Sequence, residues 1–221
     1  MTQKIEVIKR SLLFSGLEST MLQQVAALAQ AKEFSKDDAV FFEGDDATGF
    51  YMVAEGRVKI FKMSPDGREQ ILHIFGPGEP FGEVPVFHGQ PFPANAVAMN
   101  KSTLLFFPRR DFVDLVTGTP ALALSMLAML SLRLRRFTSQ IESLSLKEVP
   151  GRLAAHLIYL SEEQGRTDQV TLDIPKGQLA SLLGTSPETL SRIFSKMSEE
   201  GVIQVEGKMI LLLDYEELLE R

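Results

Sequence analysis

Residues 120–146 read PALALSMLAMLSLRLRRFTSQIESLSL, and the rest of the chain is organised around this stretch. From Pro120 to Leu132 it is apolar apart from Ser125 and Ser131. Leu127, Leu130, Leu134, Phe137, Ile141 and Leu144 recur at alternating steps of three and four, the heptad pattern by which two helices bury a shared stripe. Thr119 is placed to cap the helix and Pro120 to occupy its first turn, where a missing N–H costs nothing. The stripe from Leu127 to Leu144 would run roughly 25 Å. A core helix inside one domain would also be apolar; the evenness of the stripe predicts instead a helix that pairs with a second copy of the chain.

The period changes on both sides of this helix. Residues 1–35 read as short helices, one over Ile5–Arg10 and one after Ser19 with Leu22, Val25 and Ala29 at helical spacing. Between Asp38 and Phe107 come short apolar or alternating runs: Val40–Phe42, Tyr51–Val53, Val58–Phe61, Ile71–Phe75, Ala94–Met99 and Leu104–Phe107. Turn signals such as Ser64-Pro65-Asp66-Gly67 and Gly76-Pro77-Gly78-Glu79 separate them, as in an antiparallel barrel or jelly roll. Downstream, Lys147–Gln164 reads as a helix and Val170–Leu172 as a short strand. Two short helices follow, Lys176–Leu183 and Pro187–Glu200, joined by Gly184-Thr185-Ser186, which is the helix-turn-helix signature. Val202–Val205 and Met209–Leu213, around Glu206-Gly207-Lys208, would form the β-hairpin of a wing. The expected fold is α+β: an antiparallel β-roll over 1–118, a dimerisation helix over 119–146 and a winged helix-turn-helix over 147–221.

The second helix of that pair carries the chemistry. Leu190, Ile193, Phe194 and Met197 share one face, whereas Glu188, Ser191, Arg192 and Ser195 fall on the other. Polar side chains near the start of a recognition helix reach base edges in a major groove. Arg bridges guanine O6 and N7, Glu accepts from cytosine N4, and Ser bonds a base or a phosphate. Glu188 and Arg192 alone would equally be an ordinary i,i+4 surface pair; the helix-turn-helix context favours DNA.

Composition narrows the class. The chain has 221 residues, 44% of them hydrophobic, enough for a sizeable core, and no cysteine, which removes disulfides, thiol catalysis and Cys-ligated zinc or iron–sulfur clusters. The opening residues have no signal-peptide core, and the run from Pro120 to Leu132 stops at Arg133, too short to span a bilayer. A cytoplasmic protein with no membrane partner is expected. Net charge is −6, and from Lys147 onward thirteen acidic residues face eight basic ones. Lys176, Arg192, Lys196 and Lys208 must therefore gather locally, giving few phosphate contacts and a shallow salt dependence. No Ser-His-Asp order, metal-ligand spacing or phosphate-cradling glycine loop points to an enzyme.

These residues resemble the CRP/FNR superfamily of bacterial transcription regulators over nearly the whole chain. The sensor half carries the spaced signature Gly44-Asp45, Tyr51, Val53, Gly56, Val58, Ile60, Gly78-Glu79 and Phe81-Gly82-Glu83, and the other half carries Pro187-Glu188-Thr189-Leu190-Ser191-Arg192. The resemblance is to the FNR type of recognition helix, which implies half-sites like TTGAT in an inverted repeat, with Glu188, Ser191 and Arg192 reading bases. Thr185, Ser186, Thr189, Ser195, Lys176, Lys196 and Lys208 complete the implied DNA surface. It also implies double-stranded DNA, a second copy of the chain, RNA polymerase if the protein activates, and a small-molecule or gas effector as partners.

The family's effector site implies a pocket of Phe81, Gly82, Glu83, Val86, Phe87 and Phe92, closed by Leu127 and Leu130 of the long helix. Cyclic-AMP-binding members carry an Arg-Ser pair some ten residues after Phe-Gly-Glu; here Gln90-Pro91-Phe92-Pro93-Ala94 stands in that place, which argues against cyclic AMP. The stretches Thr119–Leu124 and Glu142–Lys147 resemble the nitrosative-stress branch, the dissimilative nitrate respiration and hybrid-cluster protein regulators, which implies haem-based sensing of nitric oxide. His88 is then the haem-ligand candidate, although a lone loop histidine is more often solvated. His73 and His156 read as packing or surface residues. The alternatives are a regulator answering to a non-haem small molecule or a cyclic nucleotide, and an effector-binding module that contacts proteins rather than DNA.

Overall fold

The computed structural model describes residues 2–14 and 16–221, which divide into two compact units, one up to Arg135 and one from Arg136 onward. The first unit opens with helix α1 (Thr2–Arg10), a 3₁₀ turn (Leu12–Phe14) and α2 (Ser19–Leu28). Strands β1 (Gln30–Phe34), β2 (Ala39–Phe41), β3 (Gly49–Glu55), β4 (Val58–Met63), β5 (Glu69–Phe75) and β6 (Pro80–Phe81) follow. Helix α3 (Val84–His88), strands β7 (Asn95–Ala98) and β8 (Ser102–Pro108), and helix α4 (Arg109–Gly118) lead to α5 (Pro120–Leu146). Two four-stranded antiparallel sheets, ordered β1-β8-β3-β6 and β2-β7-β4-β5, form the roll.

Strand β3 explains why this region reads as runs of unbroken hydrophobicity. Successive side chains of a strand point to opposite faces, and in β3 both faces are covered. Phe50 and Met52 join Phe107 and Leu105 of β8 in a core with Ile8, Leu13, Phe14, Val25 and Phe112 of the helices. Tyr51 and Val53 point the other way, joining Leu104 and Phe106 in the interior of the roll with Phe41, Val58, Phe75, Phe81 and Phe92. Gly56 turns the chain between β3 and β4 at φ +88°, where a Cβ would come within 2.2 Å of Ser102 Oγ.

Leu122, Met126 and Met129 of α5 are buried in the helix-side core. The division between the two units falls within α5, whose first half belongs to that core. Leu127, Leu134, Phe137 and Ile141 lie on another side of the helix and are 61%, 69%, 46% and 65% exposed, while Leu130 and Leu144 are half-buried. Thr119 does not aim its hydroxyl at the start of α5: Oγ1 lies 3.8 Å from Met21 Sδ, and the carbonyl of Thr119 accepts from Leu122 and Ala123.

The second unit contains α6 (Val149–Gln164), β9 (Gln169–Thr171), α7 (Lys176–Leu182), α8 (Pro187–Glu199), β10 (Ile203–Glu206), β11 (Met209–Leu212) and α9 (Tyr215–Glu220). Its three strands pair antiparallel in the order β10-β11-β9, so the expected hairpin carries β9 on its far side. The first thirty-five residues are not all helical, because β1 pairs with β8 from Gln30. No single helix among the described residues is long and apolar enough to cross a membrane; α4 and α5 meet at a bend of 111°.

Candidate DNA-reading surface and sensor interior

The loop before α8 sets where that helix begins and which side chains it exposes. Gly184 takes φ +64°, a left-handed conformation that stops α7 and reverses the chain, and Thr185 N–H returns to Ala180 O at 2.9 Å. Ser186 is extended at φ −86°, ψ 153°, and its Oγ accepts the Thr189 N–H at 3.2 Å, with Pro187 in the first turn. This is the expected cap, and it fixes where α8 begins. Leu190, Phe194 and Met197 are buried beneath the helix. Glu188, Ser191, Arg192, Ser195 and Lys196 are exposed and line one open groove along it.

The remaining candidates lie around this groove rather than in it. Thr189 is half-buried, and its Oγ1 accepts from Arg192 Nη2 at 3.2 Å. Thr185 is half-buried in the turn. Lys176, at the start of α7, stands 4.9 Å over the Phe194 ring, which leaves its ammonium at the surface. Lys208 is exposed in the turn between β10 and β11. The Glu188 backbone N–H and the nearby Arg192 charge hold the Glu188 carboxyl below the ordinary range. An ionised Glu188 is the form that accepts from a cytosine amino group.

The sensor candidates do not share one cavity. Phe81 and Phe92 are buried in the interior of the roll, where Phe92 stacks on Phe41 with centroids 3.7 Å apart. Gly82 turns between these rings at φ +73°, and a Cβ there would meet Phe92 at 3.1 Å and Phe41 at 3.3 Å. Val86, on α3, faces away into the helix-side core, and half-buried Leu130 packs against that same core. Phe87 is 43% exposed and lines a separate surface cleft with Val86, Arg109, Arg110 and Val113. Leu127 is exposed. The physical reason is the sheet that carries β3, whose two faces send these residues to different cores.

Glu83 has a partner that the sequence reading missed. It is buried, and Arg133 Nη1 of α5 donates to its Oε1 while Nη2 donates to Pro80 O. The guanidinium also lies 5.1 Å from the centroid of the Phe75 ring. The long helix thus supplies beside Glu83 a cation that the stretch Gln90–Ala94 does not. A signal was present, since Leu122, Met126, Met129 and Arg133 continue one helical stripe at steps of four and three, so Arg133 sits on the buried side of α5.

His88 ends α3 at the surface, and its Nδ1 accepts from Gln90 N–H at 3.1 Å. In the neutral imidazole the proton then resides on Nε2, and an iron ligand would have to displace the Gln90 hydrogen bond or move that proton. His88 lies at the surface, apart from the buried apolar candidates Phe81, Phe92 and Val86. His73 stands 3.9 Å from Glu79 Oε1 and edge-on to Phe75. His156 lies in α6 with Nε2 buried and unpartnered, and burial pushes its pKa down to about 4.

Comparison with known proteins gives two domain matches: residues 31–118 match the cyclic nucleotide-binding domain, and residues 151–221 match the Crp-like helix-turn-helix domain. The chain is similar to the CRP-like cAMP-activated global transcriptional regulator of Mycobacterium tuberculosis, 30% identical over 98% of both chains. It is similar also to the cyclic AMP receptor protein of Thermus thermophilus, 33% identical over 90% of each. Among solved structures it resembles DNR from Pseudomonas aeruginosa, with 32% identity, a TM-score of 0.51, and coverage of 97% of this chain and 95% of that one.

Proposed function

The chain belongs to the CRP/FNR family of transcription regulators, and from that premise we propose that it acts as an effector-responsive homodimer reading an inverted repeat of TTGAT-like half-sites. One observation carries the reading: Glu188, Ser191 and Arg192 stand together on the open face of a capped helix whose opposite face is buried. Two copies related by a twofold axis would set their recognition helices in successive major grooves. The exposed stripe Leu127, Leu134, Phe137 and Ile141, flanked by Leu130 and Leu144, supplies the dimer contact. In functional terms residues 1–118 sense, 119–146 dimerise and 147–221 bind DNA. RNA polymerase is the further partner where the protein activates.

The effector acts by binding one arrangement of the dimer more tightly than the other. A cyclic nucleotide is a second reading favoured by one observation, because Arg133 brings to Glu83 the cation that the stretch after Glu83 lacks. The branch resemblance carries haem and nitric oxide, and the hydrogen bond at His88 Nδ1 argues against that ligand.

Gel retardation of a TTGAT-type inverted repeat against a duplex with scrambled half-sites tests the DNA reading, which fails if the two are bound alike. Phe137→Glu should abolish dimerisation in sedimentation and DNA binding together; loss of only one breaks the link between them. Titration with cyclic AMP and an absorption spectrum of protein supplied with haem, with and without nitric oxide, separate the effectors. A Soret band shifted by nitric oxide and altered in His88→Ala would restore the haem reading.

A further inference from the structure

Thr189 stands between the cap of α8 and the guanidinium at its exposed face, and its hydroxyl touches both. Ser186 Oγ lies 3.2 Å from Thr189 N and 3.2 Å from Thr189 Oγ1, and Arg192 Nη2 donates to Thr189 Oγ1 at 3.2 Å. A hydroxyl has two acceptor sites and one proton. Here the acceptor sites are taken by the Ser186 O–H and the Arg192 N–H. The hydroxyl is itself anchored, because Thr189 N–H is held by the cap, its Cβ is branched, and the residue is half-buried. Arg192, by contrast, is exposed on a long flexible stem, and its planar fork matches a guanine edge in few orientations. The neighbouring Glu188 also attracts Arg192, but a charge of that kind does not select one nitrogen of the fork.

We propose that Thr189 is a positioning residue for Arg192: its hydroxyl holds one Nη of the guanidinium before DNA arrives, and so sets the choice of base rather than overall affinity. The proposal rests on the reading of α8 as the DNA-reading helix. It gives Thr189 a role through Arg192, distinct from the direct DNA contact implied by the resemblance. Ser186 belongs to the same relay, since its hydroxyl caps the helix and donates to the atom that receives Arg192.

The test uses the full chain as wild type, Thr189→Val and Thr189→Ser. Binding is measured to a TTGAT-type inverted repeat, to each single-base-pair variant of the half-site and to a random duplex. Order parameters of the Arg192 Nε–H are measured in the free protein. In Thr189→Val, discrimination at one base-pair position should fall about three- to tenfold. Random-duplex affinity should fall less than that discrimination does, and Arg192 should gain mobility without DNA present. Thr189→Ser should restore both properties. A Thr189→Val protein that weakens on every duplex equally overturns the proposal in favour of direct backbone contact, and unchanged Arg192 mobility overturns it as well. Wild-type protein that ignores the repeat removes the DNA reading itself, while the mobility measurement still decides whether Thr189 holds Arg192.

Discussion

The interior of the roll and the outer face of α8 handle charge in opposite ways. In the first unit, Glu83 is buried and paired with Arg133, whose guanidinium lies against the Phe75 ring. On α8, Glu188, Arg192 and Lys196 stand in solvent along an open groove. A buried charge must find a partner from its own chain, because leaving it alone costs several kcal/mol. An exposed charge stays hydrated and keeps spare hydrogen-bonding capacity for another molecule. The difference separates a charge paired within its own chain from charges left facing solvent.

That contrast makes measurable demands. Arg133→Ala strands the Glu83 carboxylate and should destabilise the first unit by about 3–5 kcal/mol in urea unfolding; an effect near zero would mean that the roll interior is wet and the contrast false. Replacing both residues by apolar ones of similar volume should recover much of the loss.

The underside of the second unit is closed as well, and pH should show it. The unfolded chain protonates His156 near pH 6.5, whereas the folded chain does so only at about 4, because burial opposes the charge. Stability is therefore full above about pH 6.5 and declines as pH falls toward 4, by about 3 kcal/mol in total. His156→Leu should flatten that part of the pH profile; an unchanged profile would place the loss elsewhere.

Smaller effects belong to the open face. Arg192→Ala should cost about 1–3 kcal/mol of discrimination at a guanine position in competition binding. Thermal unfolding should be almost unchanged, as for an exposed side chain. Ser186→Ala removes the cap of α8 and should lower the stability of the second unit by about 1 kcal/mol, read from its chemical denaturation.

What the sequence conveyed follows from the same distinction between local and distant causes. The bounds of α5, most of the longer strands of the roll, the tight turn at Gly184 and the amphipathic α8 all rest on local spacing. The hairpin of the wing does too, with Gly207 at its turn. Helices α4 and α9 were missed because Arg109–Gly118 and Tyr215–Glu220 are short, with only Phe112 and Leu218 respectively buried. Strand β1 was missed because Gln30–Phe34 has no buried side chain and is defined by its pairing with β8. The sensor candidates were collected by proximity in sequence, and the sheet assigns them to different sides. Arg133 lies fifty positions from Glu83, and only the fold brings them together.

Strand β3 has a consequence for how the first unit comes apart. Phe50 and Met52 belong to one core, and Tyr51 and Val53 to the other. The strand has no idle side, so neither core can melt and leave the other an intact wall. Amide protons of β3 and its neighbour β8 should be among the last in the first unit to exchange with solvent, released only by opening of the whole unit. The same arrangement leaves little room for drift: from Phe50 to Val53, a substitution tolerated by one core still changes the wall of the other.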